Sequence, residues 1–255
     1  MVKLYNQFVA MARRKSAAYA MRMKLIDSMM TTNIADLIAL AGLILAWVLT
    51  GWFSEHPPAS RISVSVLMDD YRRDWMRQFV TRNPRIFDGT VIDSLRQGTA
   101  FFASTCMLAL GGGIALVGNA AVLKGLAAQF LLDSGAIAIE LKIIVVLTFL
   151  ANATLKFVWA HRLFGYCSIM MAAVPNDPAD PHAFVSAAQA AEVNITAARS
   201  FNRGLRAIYF ALGALGWLAG PFGLMISTVV TTGVLVRREF ASVSRSVILQ
   251  GKPKG

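Results

Sequence analysis

Residues Ile34–Phe53 read IADLIALAGLILAWVLTGWF, twenty residues with a single charge, Asp36, in the first turn. As an α-helix this stretch is about 30 Å long, the thickness of a bilayer's hydrocarbon core. Three more apolar stretches follow, at about 99–118, 143–173 and 205–236. None alternates apolar and polar residues with period two, which argues against a transmembrane barrel. Lipid offers no partner to an exposed backbone amide, so spanning segments of this kind must be helices. The expected fold is all-α: an integral membrane helical bundle of four transmembrane helices with amphipathic loop helices. Its parts are a basic N-terminal tail (1–33), a four-span membrane domain (34–240) and a basic C-terminal tail (241–255).

Composition agrees. The 255 residues are 56% hydrophobic and 15% charged, whereas soluble domains average about 45–50% and about 25%. Disordered, collagen-like and disulfide-scaffold classes are excluded by the same figures. The net charge is +11 and is concentrated in the tails. Residues 1–33 hold six Lys and Arg against Asp27, and residues 237–255 hold five against Glu239. Basic tails beside apolar spans suit a cytoplasmic face and anionic headgroups, so membrane lipids are expected partners. No nucleic-acid-binding motif accompanies the charge, and no nucleic-acid partner is expected. Four spans put both tails on one side, which the charge makes the cytoplasmic side of the cell's inner (plasma) membrane. Residues 1–33 lack a compact apolar core, so no cleavable signal peptide is expected.

The loops carry structure of their own. Val64, Leu67, Tyr71, Trp75 and Phe79 recur every three or four residues, so Ser63–Arg82 reads as an amphipathic helix. Asp69–Arg73, Asp70–Arg73 and Asp74–Arg77 have the spacing of intrahelical ion pairs on its other side. Such a helix can lie in the membrane interface or cover the end of the bundle. Pro84 stops it, and Asp88 can cap the next helix. In the third loop, Asp180-Pro181 is a helix-start signal for an Ala-rich helix over 182–203.

The order of certain short elements is also informative: Asp36 opening the first span; Arg72-Arg73-Asp74-Trp75-Met76 leading to Arg85-Ile86-Phe87-Asp88; Phe101-Phe102-Ala103-Ser104-Thr105; Phe201-Asn202-Arg203-Gly204-Leu205-Arg206; Trp217 with Pro221; and Arg237-Arg238-Glu239-Phe240. Taken together over residues 34–240, the chain resembles an uncharacterised membrane-protein family, domain of unknown function 599. The resemblance implies a multi-pass membrane protein and no particular activity. Residues 1–33 lie outside it.

Candidate functional residues concentrate in the third span. Asn152 and Lys156 are four apart and share a helix face, with Thr148 one turn earlier, and His161 and Arg162 follow. Polar groups at membrane depth are costly unless paired or solvated. These four either line a pathway for an ion or small solute, or sit at the end of the span against headgroups or loop acids. Asp36 suits a helix N-terminus electrostatically, or pairs with a basic residue of another helix. Gly213, Gly216, Gly220, Gly223 and Ser227 form one stripe of the fourth span. This is a close-packing seam with Gly111, Gly112 and Gly113 of the second span as possible partner. Gly220-Pro221 is expected to kink the span.

Cys106 and Cys167 lie in apolar stretches and read as buried free thiols. No Cys/His cluster suggests a metal, and no cofactor is expected. The chain lacks HExxH, GxSxG, phosphate-loop and dinucleotide motifs, which argues against an enzyme. The leading expectation is a non-enzymatic binding, scaffold or assembly subunit that contacts another membrane protein or itself. The alternative is a small oligomeric channel or transporter with a polar pathway along the third span.

Overall fold

The computed structural model describes residues 34–58, 60–119, 121, 122, 125 and 138–250. The basic tail 1–33 lies outside the described residues. In chain order the helices are α1 (Ile34–Glu55), α2 (Val64–Thr81), α3 (Ile86–Gly118), α4 (Ile139–Ala172) and α5 (Ala183–Ala214). A 3₁₀ turn (Leu215–Ala219), α6 (Gly220–Phe240) and the short α7 (Val243–Gln250) complete the chain. Among the described residues four segments are long and apolar enough to cross a membrane, as the hydropathy requires: α1, α3, α4 and the run Ala183–Gln250.

That fourth run is folded back on itself. Ser227 Oγ on α6 donates to the Gly213 carbonyl at the end of α5, 2.6 Å away. Fourteen residues along a straight helix would separate them by about 21 Å. The reversal is made at Gly220, whose φ of 86° is open to glycine and disfavours any residue with a Cβ. Pro221 follows in the first turn of α6, where its missing N–H costs nothing. Gly220-Pro221 therefore turns the chain around, where a kink was expected, and residues 205–236 form a hairpin of two antiparallel limbs.

Both limbs run alongside α1. At one end Trp217, at the hairpin tip, donates from Nε1 to Asp36 Oδ1 at 2.6 Å, with both residues buried. At the other end Arg203 and Arg206 of α5 hold Glu55. The start of α1 and the end of α6 thus lie at opposite ends of the bundle, because the hairpin adds a pass that a straight helix would not.

Helices α3, α4 and α5 have 33, 34 and 32 residues. At 1.5 Å per residue each is about 50 Å long, some 20 Å more than a hydrocarbon core needs. The surplus halves project as a head, and α2 packs onto them to complete a four-helix bundle. Met76, Phe79 and Val80 of α2 join Ile92 of α3, Phe164 and Cys167 of α4 and Ala187, Ala190 and Ala191 of α5 in one core. The alanines explain the close approach: the α4–α5 contact is lined with side chains too small to hold the axes apart. So α2 covers the bundle.

The buried face of α2 is rotated from the expected one. Leu67, Asp69, Met76, Phe79 and Val80 are buried, while Tyr71 is exposed. Asp69 consequently pairs across helices with Arg199 at 2.7 Å and not with Arg73. The Asp70–Arg73 and Asp74–Arg77 pairs do form, at 3.2 and 3.0 Å. Ser63 caps α2, accepting from Val66 N and donating to the Ser54 carbonyl at 2.7 Å, which ties the cap to the end of α1. Asp88 is no cap. It sits inside the first turn of α3, fully buried, and accepts from Trp75 Nε1 at 2.7 Å and from Arg82. Asp180 Oδ1 accepts from His182 N at 2.8 Å in the turn that precedes α5.

Candidate functional site

One cluster of polar side chains lies where the head meets the apolar spans. Glu55 ends α1 there and bridges two arginines of α5. Arg203 donates from Nε to Oε1 at 2.8 Å, and Arg206, almost fully buried, donates to the same oxygen. Asn152 and Lys156 of α4 face the same groove, which has a volume of about 320 Å³ and also takes in His56, Trp47 and Trp52 of the α1 side. Sequence spacing correctly puts Asn152 and Lys156 together. His161 and Arg162 lie elsewhere. His161 Nδ1 sits 3.4 Å from Thr99 Oγ1 and 3.3 Å from the Arg96 carbonyl on α3. Arg162 is exposed and donates to Tyr166. The reason is helical phase: nine residues carry His161 about half a turn round from Asn152. Thr148 is exposed, its hydroxyl spent on the Ile144 carbonyl at 2.8 Å.

Glu55, Arg203 and Arg206 are the residues that sequence reasoning did not place. Arg203 and Arg206 belong to one of the quoted short elements, and Glu55 is the last residue of α1. The available signal was an acid ending one span opposite two basic residues opening another.

A second polar cavity, about 460 Å³, lies on the opposite side of α5 among α2, α6 and α7. Its charges are already engaged. Glu239 accepts from Ser65 N at 3.2 Å and from Ser65 Oγ, and Asn202 Nδ2 reaches Ser65 Oγ at 3.4 Å. Arg72 donates to Asn194, and burial pushes its guanidinium below its ordinary pKa, partly countered by Asp69. Arg245 of α7 donates to the Ile62 carbonyl at 2.9 Å, so the C-terminal segment packs against the loop before α2.

Toward the spans the space between helices is filled. Phe157 stacks on Phe102 with ring centres 5.4 Å apart and meets Phe201 edge-on at 5.4 Å. A Cβ on Gly204 would lie 2.8 Å from the Phe157 ring. Phe149 and Phe210 continue the filling toward the hairpin tip.

The glycines divide by the same logic. Gly213 and Gly216 face Thr231, Ser227 and Gly223 across the hairpin; a Cβ on Gly216 would come within 2.7 Å of the Gly223 carbonyl. The seam is internal to the hairpin. Gly113 rests against Leu147 of α4, while Gly111 and Gly112 have open space around them. Gly111, Gly112 and Gly113 are therefore not the partner of the fourth-span glycines; α3 meets that segment through Ala103 and Cys106 against Ala207. Asp36 meets an indole N–H and, among the described residues, no cation. Cys106 and Cys167 are buried free thiols. Among the described residues no three His, Cys, Asp or Glu side chains converge as a metal ion would need.

Three contacts join the short elements noted in the sequence: Asp36 with Trp217, Trp75 with Asp88, and Phe102 with Phe201; Arg85 reaches the carbonyls of Val174 and Pro175 at 2.8 Å. This is an all-helical multi-pass membrane protein whose helices continue into a packed head. The chain belongs to the family described as "Protein of unknown function, DUF599", whose model matches residues 38–244. No curated protein and no solved structure matches the chain.

Proposed function

We propose that the protein acts by binding, without catalysis, as a scaffold or assembly subunit for another membrane protein. The observation that carries this reading is the head. About 20 Å of three helices is extended beyond what the membrane needs, and a fourth helix is docked on it. Between α2 and α5 the head has a largely apolar groove of about 580 Å³, with Phe184 and Val185 exposed at its edge. Exposed apolar patches of this kind are typical of protein contacts. A conducting pathway would need polar groups through the interior, where the Phe102, Phe157 and Phe201 rings pack instead.

The proposed location is the cell's inner membrane with the head in the cytoplasm. Among the described residues every Lys and Arg except Lys142 belongs to the head or to the layer beneath it, and basic residues are retained on the cytoplasmic side. The hairpin makes five passes of the four apolar segments, which sets the C-terminal end beside the head. Ile34 then starts on the far side, in place of the common side that four straight spans imply.

Affinity capture of the tagged full chain from gently solubilised membranes tests the binding role. A foreign membrane subunit in fixed stoichiometry is the expected result. A pure homo-oligomer that conducts ions in liposomes would overturn it.

A further inference from the structure

We propose that the groove between α1 and α4 binds the phosphate headgroup of an anionic phospholipid. This does not depend on the scaffold reading. The groove carries three cations, Lys156, Arg203 and Arg206, against one acid, Glu55. Glu55 is shared by the two arginines. Lys156, half buried, has no acid partner among the described residues, and the same holds for any partner of the Asn152 amide one turn closer to the apolar zone. Lys156 beside the half-exposed Arg203 leaves the groove with an excess of positive charge that attracts an anion from outside the chain.

Two features say that this anion is attached to lipid. First, the groove lies at the interface level: Trp52 is 60% exposed and stacks on His56 at 4.4 Å, where α1 gives way to His56-Pro57. Amphipathic indoles of this kind mark the headgroup level of membranes. Second, Val48 of the groove is followed one helical turn further along the same face of α1 by Ile44, both about half exposed. That strip is apolar and suits an acyl chain, whereas a soluble phosphate would gain nothing from it. In the bound state Lys156 Nζ and the free donors of Arg203 hold the phosphate, Asn152 donates to the ester region, and one chain lies along Val48 and Ile44.

The test uses the full chain in phosphatidylcholine vesicles with a minor share of brominated lipid, read by tryptophan fluorescence. Brominated phosphatidylglycerol is expected to quench more than brominated phosphatidylcholine, and Trp52→Phe is expected to remove most of that excess. Lys156→Met keeps the aliphatic stem and should lower the preference for phosphatidylglycerol about fivefold, the scale of one basic residue acting on anionic lipid. Arg162→Gln, an exposed cation outside the groove, should leave the preference unchanged. Asn152→Leu, which alters no charge, should weaken it if Lys156→Met does not fold. Equal losses in Lys156→Met and Arg162→Gln would mean diffuse attraction and overturn the site. Displacement of the quenching lipid by millimolar inorganic phosphate would assign the groove to a soluble anion and overturn the lipid reading.

Discussion

Replacing Gly216 by alanine tests the hairpin with a single methyl group. The new Cβ would lie 2.7 Å from the Gly223 carbonyl oxygen and 2.7 Å from Ser227 Cβ, one of them main chain on the facing limb. Neither atom is the end of a flexible side chain, so the limbs must part. Overpacking of this kind costs about 1–3 kcal/mol. The alanine also restricts the unfolded chain, which returns about 0.4–1 kcal/mol. The net expectation is a loss of roughly 1–2 kcal/mol, or about 2–8 °C in melting temperature at the sensitivity of a domain this size. Gly111→Ala is the matched control. It lies within α3 with nothing inside 4 Å, so the better helix former should be neutral or raise stability by up to about 1 kcal/mol. Both variants would be melted in the same detergent, followed by circular dichroism. A Gly216→Ala melt that coincides with wild type, or equal shifts for the two variants, would refute the close approach of the limbs.

Topology gives a second check: a cysteine at Ala179, in the turn before α5, and a reporter after residue 250 should report the same side of the membrane. Opposite sides would require a straight fourth span. Trp217→Phe should cost about 1–3 kcal/mol by stranding the buried Asp36 carboxylate, and adding Asp36→Leu should recover much of the loss in thermal melts. No recovery in the double variant would show that the bond is not the source of the loss. Glu55→Ala should destabilise by about 3–5 kcal/mol, since it leaves Arg206 buried without its acid, and expression with an unchanged melting curve would contradict that pairing.

Much of the fold was legible in the sequence, for a simple reason. Twenty apolar residues can satisfy their backbone in lipid only as a helix, so the positions of the spans follow from composition and length. The α2 helix was legible from its period, and Leu67 and Phe79 are buried as expected, yet a stripe alone does not reveal where a neighbour will dock. The spacing of Asp69 and Arg73 suggests an intrahelical pair because nothing local announces Arg199, more than a hundred residues away. The hairpin was hidden for a different reason. Hydropathy sums residues and is blind to direction, so Leu205–Val236 scores as one span whether it runs straight or doubles back. Gly220-Pro221 was visible as a break, but only φ at Gly220 distinguishes a bend from a reversal. At the site, Asn152 and Lys156 were found through four-residue spacing. Glu55, Arg203 and Arg206 were not, because their association depends on the relative heights of α1 and α5.

The three long helices pass from the spans into the head without a break, and this has a mechanical meaning. No loop separates α4 below Lys156 from α4 above it; the helix is continuous from Ile139 to Ala172. Membrane helices adjust their tilt to the thickness of the surrounding bilayer. A tilt of about 10° about the membrane surface would carry the far end of a roughly 20 Å extension sideways by about 3.5 Å. The head is in effect the long arm of a lever whose short arm is set by the lipid, so whatever docks on its surface feels the thickness of the membrane below.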